Sequence, residues 1–153
     1  MKIVDFVRPE LVAAHLLATD KAGIINELAQ HLAENVAGLH RETLALALTE
    51  REKLASTGID QGIAIPHAKM RDIASLVAFV GRKPEGVDFD SMDGKPTKLF
   101  FVLVAPENST GVHLKALARI SRLFRDPGFR ERLLCAPDAA ALYQAIVDED
   151  AKH

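Results

Sequence analysis

At 153 residues, with 48% hydrophobic and 26% charged side chains, the chain has the size and composition of a single folded domain with its own core. A net charge of −2, aromatics at 5%, no Trp and one Tyr exclude a global field for nucleic acid or an anionic membrane, and the stacking platforms of single-strand binders. No run reaches the roughly 18 apolar residues of a membrane-spanning helix, and the charged start MKIVDFVRPE lacks the apolar core of a signal peptide.

Taken in order, residues 1 to 10 read as irregular, with Pro9 blocking a regular start. Leu11 to Ala18 is an apolar run whose periodicity fits either strand or helix, and His15 within it carries no chemistry. Asp20 is a good N-cap for a helix ending near Asn35, with Ile24, Ile25, Leu28, Ala29 and Leu32 on its inner face and His31 on its outer side. His40 reads as surface ahead of a second helix, Arg41 to Leu54. Its inner stripe is Leu44, Leu48 and Leu54, with Glu50, Glu52 and Lys53 outward.

Ser56-Thr57-Gly58 then opens the stretch STGIDQGIAIPHAK. Ile63 to Ile65 predicts a short strand closed by Pro66, which stiffens the backbone and sets His67 at its end. Ser75 to Gly81 is a buried strand, Arg82 to Gly94 a loop-rich segment, and Lys98 to Ala105 a strand apolar at nearly every position, so helices should cover both of its faces. A helix beginning near Thr110 places His113 in its first turn and runs a stripe through Leu114, Leu117, Ile120, Ser121 and Phe124. Pro127 starts a short helix containing Phe129, Leu133 and Leu134. Pro137-Asp138 starts the last, with Leu142, Ala145 and Ile146 inward and a frayed charged tail from Asp148. Cys135, the sole cysteine, forms no internal disulfide, fits a reducing compartment and reads as packed. Alternating strands and helices predict one α/β domain over residues 1–153, a three-layer sandwich with helices on both faces of a central sheet.

Arg51-Glu52-Lys53-Leu54, Ser56-Thr57-Gly58-Ile59 and Gly62-Ile63-Ala64-Ile65-Pro66-His67 resemble the signature of type-2 EIIA domains of the bacterial phosphotransferase system, the fructose/mannitol family that includes nitrogen-regulatory EIIA proteins. The resemblance continues through Val87-Asp88-Phe89-Asp90, Asp93-Gly94-Lys95-Pro96, Leu103-Val104-Ala105-Pro106 and His113-Leu114, covering roughly residues 5 to 148. It implies a mixed sheet of about five strands, a cytoplasmic histidine phosphocarrier and no cofactor. It implies phosphorylation of His67 by the carrier protein HPr or its nitrogen-branch homologue, with His113 as the active-site companion. Many members have Gly after the active histidine, where this chain has Ala68.

The residues fit that chemistry on their own terms. A neutral imidazole at His67 is a nucleophile, His113 near a helix start can donate a ring N–H, and Arg51 offers a planar fork to phosphate oxygens. Ser56 and Thr57 supply hydroxyls that bind phosphate or form turns. Two readings follow: a nitrogen-regulatory protein whose phosphorylation state sets its protein partners, or a stand-alone sugar-uptake EIIA passing phosphate to a IIB cysteine. A binding module with an unused site, and a metal site on His67 and His113 lacking a third ligand, are weaker readings. No Ser–His–Asp or paired-carboxylate pattern supports a hydrolase.

Overall fold

The computed structural model describes all 153 residues. Its sheet contains β1 (Val12–Ala13), β2 (Ile63–Ala64), β3 (His67–Met70), β4 (Val77–Val87) and β5 (Thr97–Pro106). The order is β1-β4-β5-β2, with β3 also on β5. Only β4 and β5 pair antiparallel, so the sheet is mixed, as expected.

The central strand explains the layering. Along β5, Phe100, Val102 and Val104 enter a core shared with α1 (Lys21–Asn35) and α2 (Arg41–Leu54). Leu99, Phe101 and Leu103 enter a second core with α3 (Thr110–Leu123), α4 (Pro127–Cys135) and α5 (Ala139–Ala151). A strand with no polar face needs cover on both sides, and the period-two alternation delivers it. Asp20, Asp126 and Asp138 cap α1, α4 and α5 by accepting backbone N–H groups of Gly23, Gly128 and Ala141.

Several elements differ from the sequence reading. Residues 1 to 10 contain a one-turn helix at Ile3–Asp5 and the start of another at Pro9–Leu11. The run from Leu11 yields only the two-residue β1. His31 does not face solvent freely but stacks on Phe79 at 5.0 Å between ring centroids. β4 continues past Pro84, because its register with β5 slips between Arg82 and Val87, where Gly86 takes φ +80° and absorbs the irregularity.

The charged tail is also ordered. Asp150 accepts from Arg119 Nε at 3.0 Å and Val4 N–H at 3.1 Å, while Glu149 pairs with Arg132 and with His153 at 3.0 Å, so α5 holds to Ala151. Burial raises the Asp150 carboxyl, but Arg119 and the backbone donors outweigh it and hold the group below its ordinary value. Leu54, Leu114 and Cys135 are exposed rather than packed.

Candidate functional site

The site lies where the edge of the sheet meets α2 and α3. β2 and β3 both pair with β5 at the same offset: Ile63 is opposite Leu99, Ala64 opposite Phe100 and His67 opposite Leu103. They form one edge strand interrupted at Ile65-Pro66 without loss of register. Pro66 has no N–H for the ladder, although its carbonyl still accepts from Leu103 at 2.9 Å. His67 therefore begins a strand rather than ending one.

The two ring nitrogens of His67 have different partners. Nδ1 lies 2.8 Å from the Ile65 carbonyl, which can only accept, so Nδ1 carries the hydrogen. Nε2 accepts from Arg51 Nε at 3.1 Å through its lone pair. Burial lowers the pKa of this imidazole most; the Ile65 bond opposes it, nearby Arg51 lowers it further, and Glu52 raises it. The ring is half-buried and neutral at pH 7.

His113, the fourth residue of α3, is buried, and neither ring nitrogen has a partner. Its ring stands 5.3 Å from that of His67 at 89°, edge to face. Burial, then the cationic forms of His67 and Lys69, push its pKa down to about 4. Arg51, in the last turn of α2, is anchored by Nη1 on the Ala55 carbonyl at 2.9 Å. The cleft around these three residues has a volume of about 600 Å³ and a rim that includes Leu54, Leu114, Leu117, Lys69 and Thr110. Leu54 is 82% and Leu114 62% exposed. Lys69 Nζ donates to Thr110 Oγ1 at 2.9 Å, tying β3 to the start of α3 across the rim.

The hydroxyls of the signature are turned into the protein. Ser56 donates to the Phe89 carbonyl at 2.8 Å and accepts from Gly58 N–H at 3.0 Å. Thr57 is buried and donates to Glu52. The structure thus brings His67, His113 and Arg51 together, whereas the Ser56 and Thr57 hydroxyls are spent on the Phe89 carbonyl and the Glu52 carboxylate. No group of three His, Cys, Asp or Glu side chains is placed to hold a metal ion. Ala68 takes an ordinary strand conformation opposite Val104 and packs its methyl into the α1–α2 core.

Sequence reasoning missed Lys69 and Glu52. Lys69 is marked only by its place two residues after His67. The helical stripe of α2 predicts Glu52 outward, yet its side chain is 4% exposed and pairs with Lys21 at 3.0 Å.

Residues 5–149 match the family described as phosphoenolpyruvate-dependent sugar phosphotransferase system, EIIA 2. A nitrogen regulatory protein of Bradyrhizobium diazoefficiens is 39% identical over 95% of this chain and 95% of its own length. The fructose-specific EIIA component of Haloferax volcanii is 35% identical over 91% of this chain and 90% of its own. The crystal structure of the nitrogen regulatory protein IIA-Ntr from Neisseria meningitidis superposes with a TM-score of 0.86 at 30% identity, covering 93% of this chain and 97% of that one.

Proposed function

The chain belongs to the EIIA type 2 family of the phosphotransferase system, and from that premise we propose that it is a cytoplasmic histidine phosphocarrier whose acceptor atom is Nε2 of His67. The observation that carries this reading is the division of labour on that ring. Nδ1–H is committed to a backbone carbonyl, which leaves the Nε2 lone pair facing a guanidinium and an imidazole with no partners of its own.

In the proposed transfer, the Nε2 lone pair attacks the phosphorus of a phosphohistidine on HPr or its nitrogen-branch homologue. The donor's P–N bond breaks, its electron pair stays on the donor ring, and a new P–N bond forms on His67. Positive charge developing on the His67 ring is stabilised through the Nδ1–H bond to Ile65. Arg51 exchanges its bond to Nε2 for a phosphoryl oxygen, and His113 donates a ring N–H to another. Both imidazoles are held neutral, so the acceptor is not protonated before the phosphoryl arrives. The exposed leucines at the rim suit docking of a partner protein.

A nitrogen-regulatory role, in which phosphorylation sets the binding of a target protein, is supported by the end-to-end similarity to proteins of that name. A sugar-uptake role, passing phosphate to a IIB cysteine, is the second reading. It is favoured by the fructose-specific relative of similar length. Intact-protein mass spectrometry at alkaline pH, after incubation with enzyme I, phosphoenolpyruvate and either carrier, tests the proposal. A single acid-labile adduct absent from His67→Ala is expected, and an equally phosphorylated His67→Ala would overturn it. The preferred carrier separates the two roles.

A further inference from the structure

Glu52 follows Arg51 in α2, yet the two side chains part company. Arg51 reaches the cleft, while Glu52 turns inward and is almost wholly buried. A buried carboxylate needs partners that repay its desolvation, and the ones it has are informative. It accepts the N–H of Thr57 at 3.1 Å, the Thr57 hydroxyl, and Lys21 Nζ at 3.0 Å. Lys21 reaches it from the first residue of α1 and also lies 4.7 Å above the Phe89 ring.

From Thr57 the connection runs to the acceptor in two hydrogen bonds. The Thr57 carbonyl accepts from Ile65 N–H at 3.0 Å, and the Ile65 carbonyl accepts from His67 Nδ1 at 2.8 Å. The neighbouring Ala55 carbonyl anchors the Arg51 fork. The loop from Ala55 to Gly58 thus orients both the acceptor and its guanidinium, and Glu52 is the buried charge that fastens it to α1 and α2.

We propose that Glu52, with Thr57 and Lys21, is a positioning residue that fixes His67 in the Nδ1–H tautomer by setting the Ile65 carbonyl; the proposal rests on His67 being the phosphoryl acceptor. Thr57 acts as the link between the carboxylate and the strand, which explains why a signature threonine is buried rather than open to the cleft. Partners beyond the first contact commonly select the tautomer and orientation of a functional histidine.

The test reads the tautomer directly. Long-range proton–nitrogen NMR of the imidazoles at alkaline pH, without any phosphate donor, should show one Nδ1–H form for His67 in the parent chain. Glu52→Gln keeps volume and removes charge, and Thr57→Val keeps shape and removes the hydroxyl. In either variant an Nε2–H population should appear and the rate of phosphoryl uptake should fall about tenfold, the low end for loss of an orienting partner. Thr57→Ser should return both readouts toward the parent. The proposal is overturned if His67 keeps a single Nδ1–H form in the variants that fold, even with slowed uptake, or if the parent already shows both forms. A parent that takes no phosphate on His67 would instead refute the phosphocarrier reading, whatever the tautomer does.

Discussion

Buried polar groups are treated in opposite ways at the two ends of this molecule. Away from the cleft nearly all are saturated. Arg119 and Asp150 share several hydrogen bonds, and Arg82 donates to the carbonyls of Ala14, Leu133 and Ala136, closing the end of α4. At the cleft, His113 leaves both ring nitrogens bare, and Arg51 divides its fork between a backbone carbonyl and the very atom proposed to react. Only one other buried side-chain atom, Thr97 Oγ1, lacks a partner. Completed networks hold the fold; the open positions at the cleft are where the proposed phosphoryl group would supply the missing bonds.

Beyond loss of the acceptor itself in His67→Ala, the largest effect should come from the saturated end. Arg119→Met strands the Asp150 carboxylate and should cost about 4 kcal/mol in denaturant unfolding, with phosphoryl uptake unchanged under native conditions. Uptake that fell with stability intact would break the contrast. His113→Leu should do the reverse, slowing uptake about 100-fold, as loss of a transition-state donor does. It should also raise stability by about 1 kcal/mol, because an unpaired buried imidazole is removed.

A rim change, Leu54→Asp, should raise the carrier concentration at half-saturation about tenfold with little effect on the limiting rate or stability. The gentlest lever is pH. The folded-state pKa of His113 is about 4 against an ordinary 6.5, so above pH 6.5 its neutral ring carries no charging penalty. Stability falls as pH drops from 6.5 towards 4, because the unfolded chain takes up the proton first. Denaturation midpoints across that window should drop less steeply for His113→Leu than for the parent.

Much of this was legible in the sequence where one physical rule dominated. The caps and apolar faces of α1 and α5, and the unbroken run of β5, need no tertiary knowledge. The triad of His67, His113 and Arg51 was readable because the motif resembles a family, although no local rule brings residues from α2, β3 and α3 together. The misses share a cause. Glu52 and Asp150 look like surface carboxylates until distant cations, Lys21 and Arg119, are folded onto them. β3 carries Lys69 outward and is too short for periodicity to reveal, while β4 outruns a proline because a local slip accommodates it. Leu54 and Leu114 fit the helical stripes but line the cleft mouth, where they stay exposed.

The unbroken register across Ile65-Pro66 bears on how this gene can change length. Because β2 and β3 keep one offset against β5, the two residues between them are counted as if the strand were continuous. Adding or deleting a single residue there would reverse the alternation along β3, turning the His67 position toward the α1–α2 core and a small apolar neighbour into the cleft. Surface loops elsewhere in the chain can lengthen at little cost. This joint has no such freedom, and an indel at Pro66 should abolish the proposed phosphoryl uptake as fully as His67→Ala.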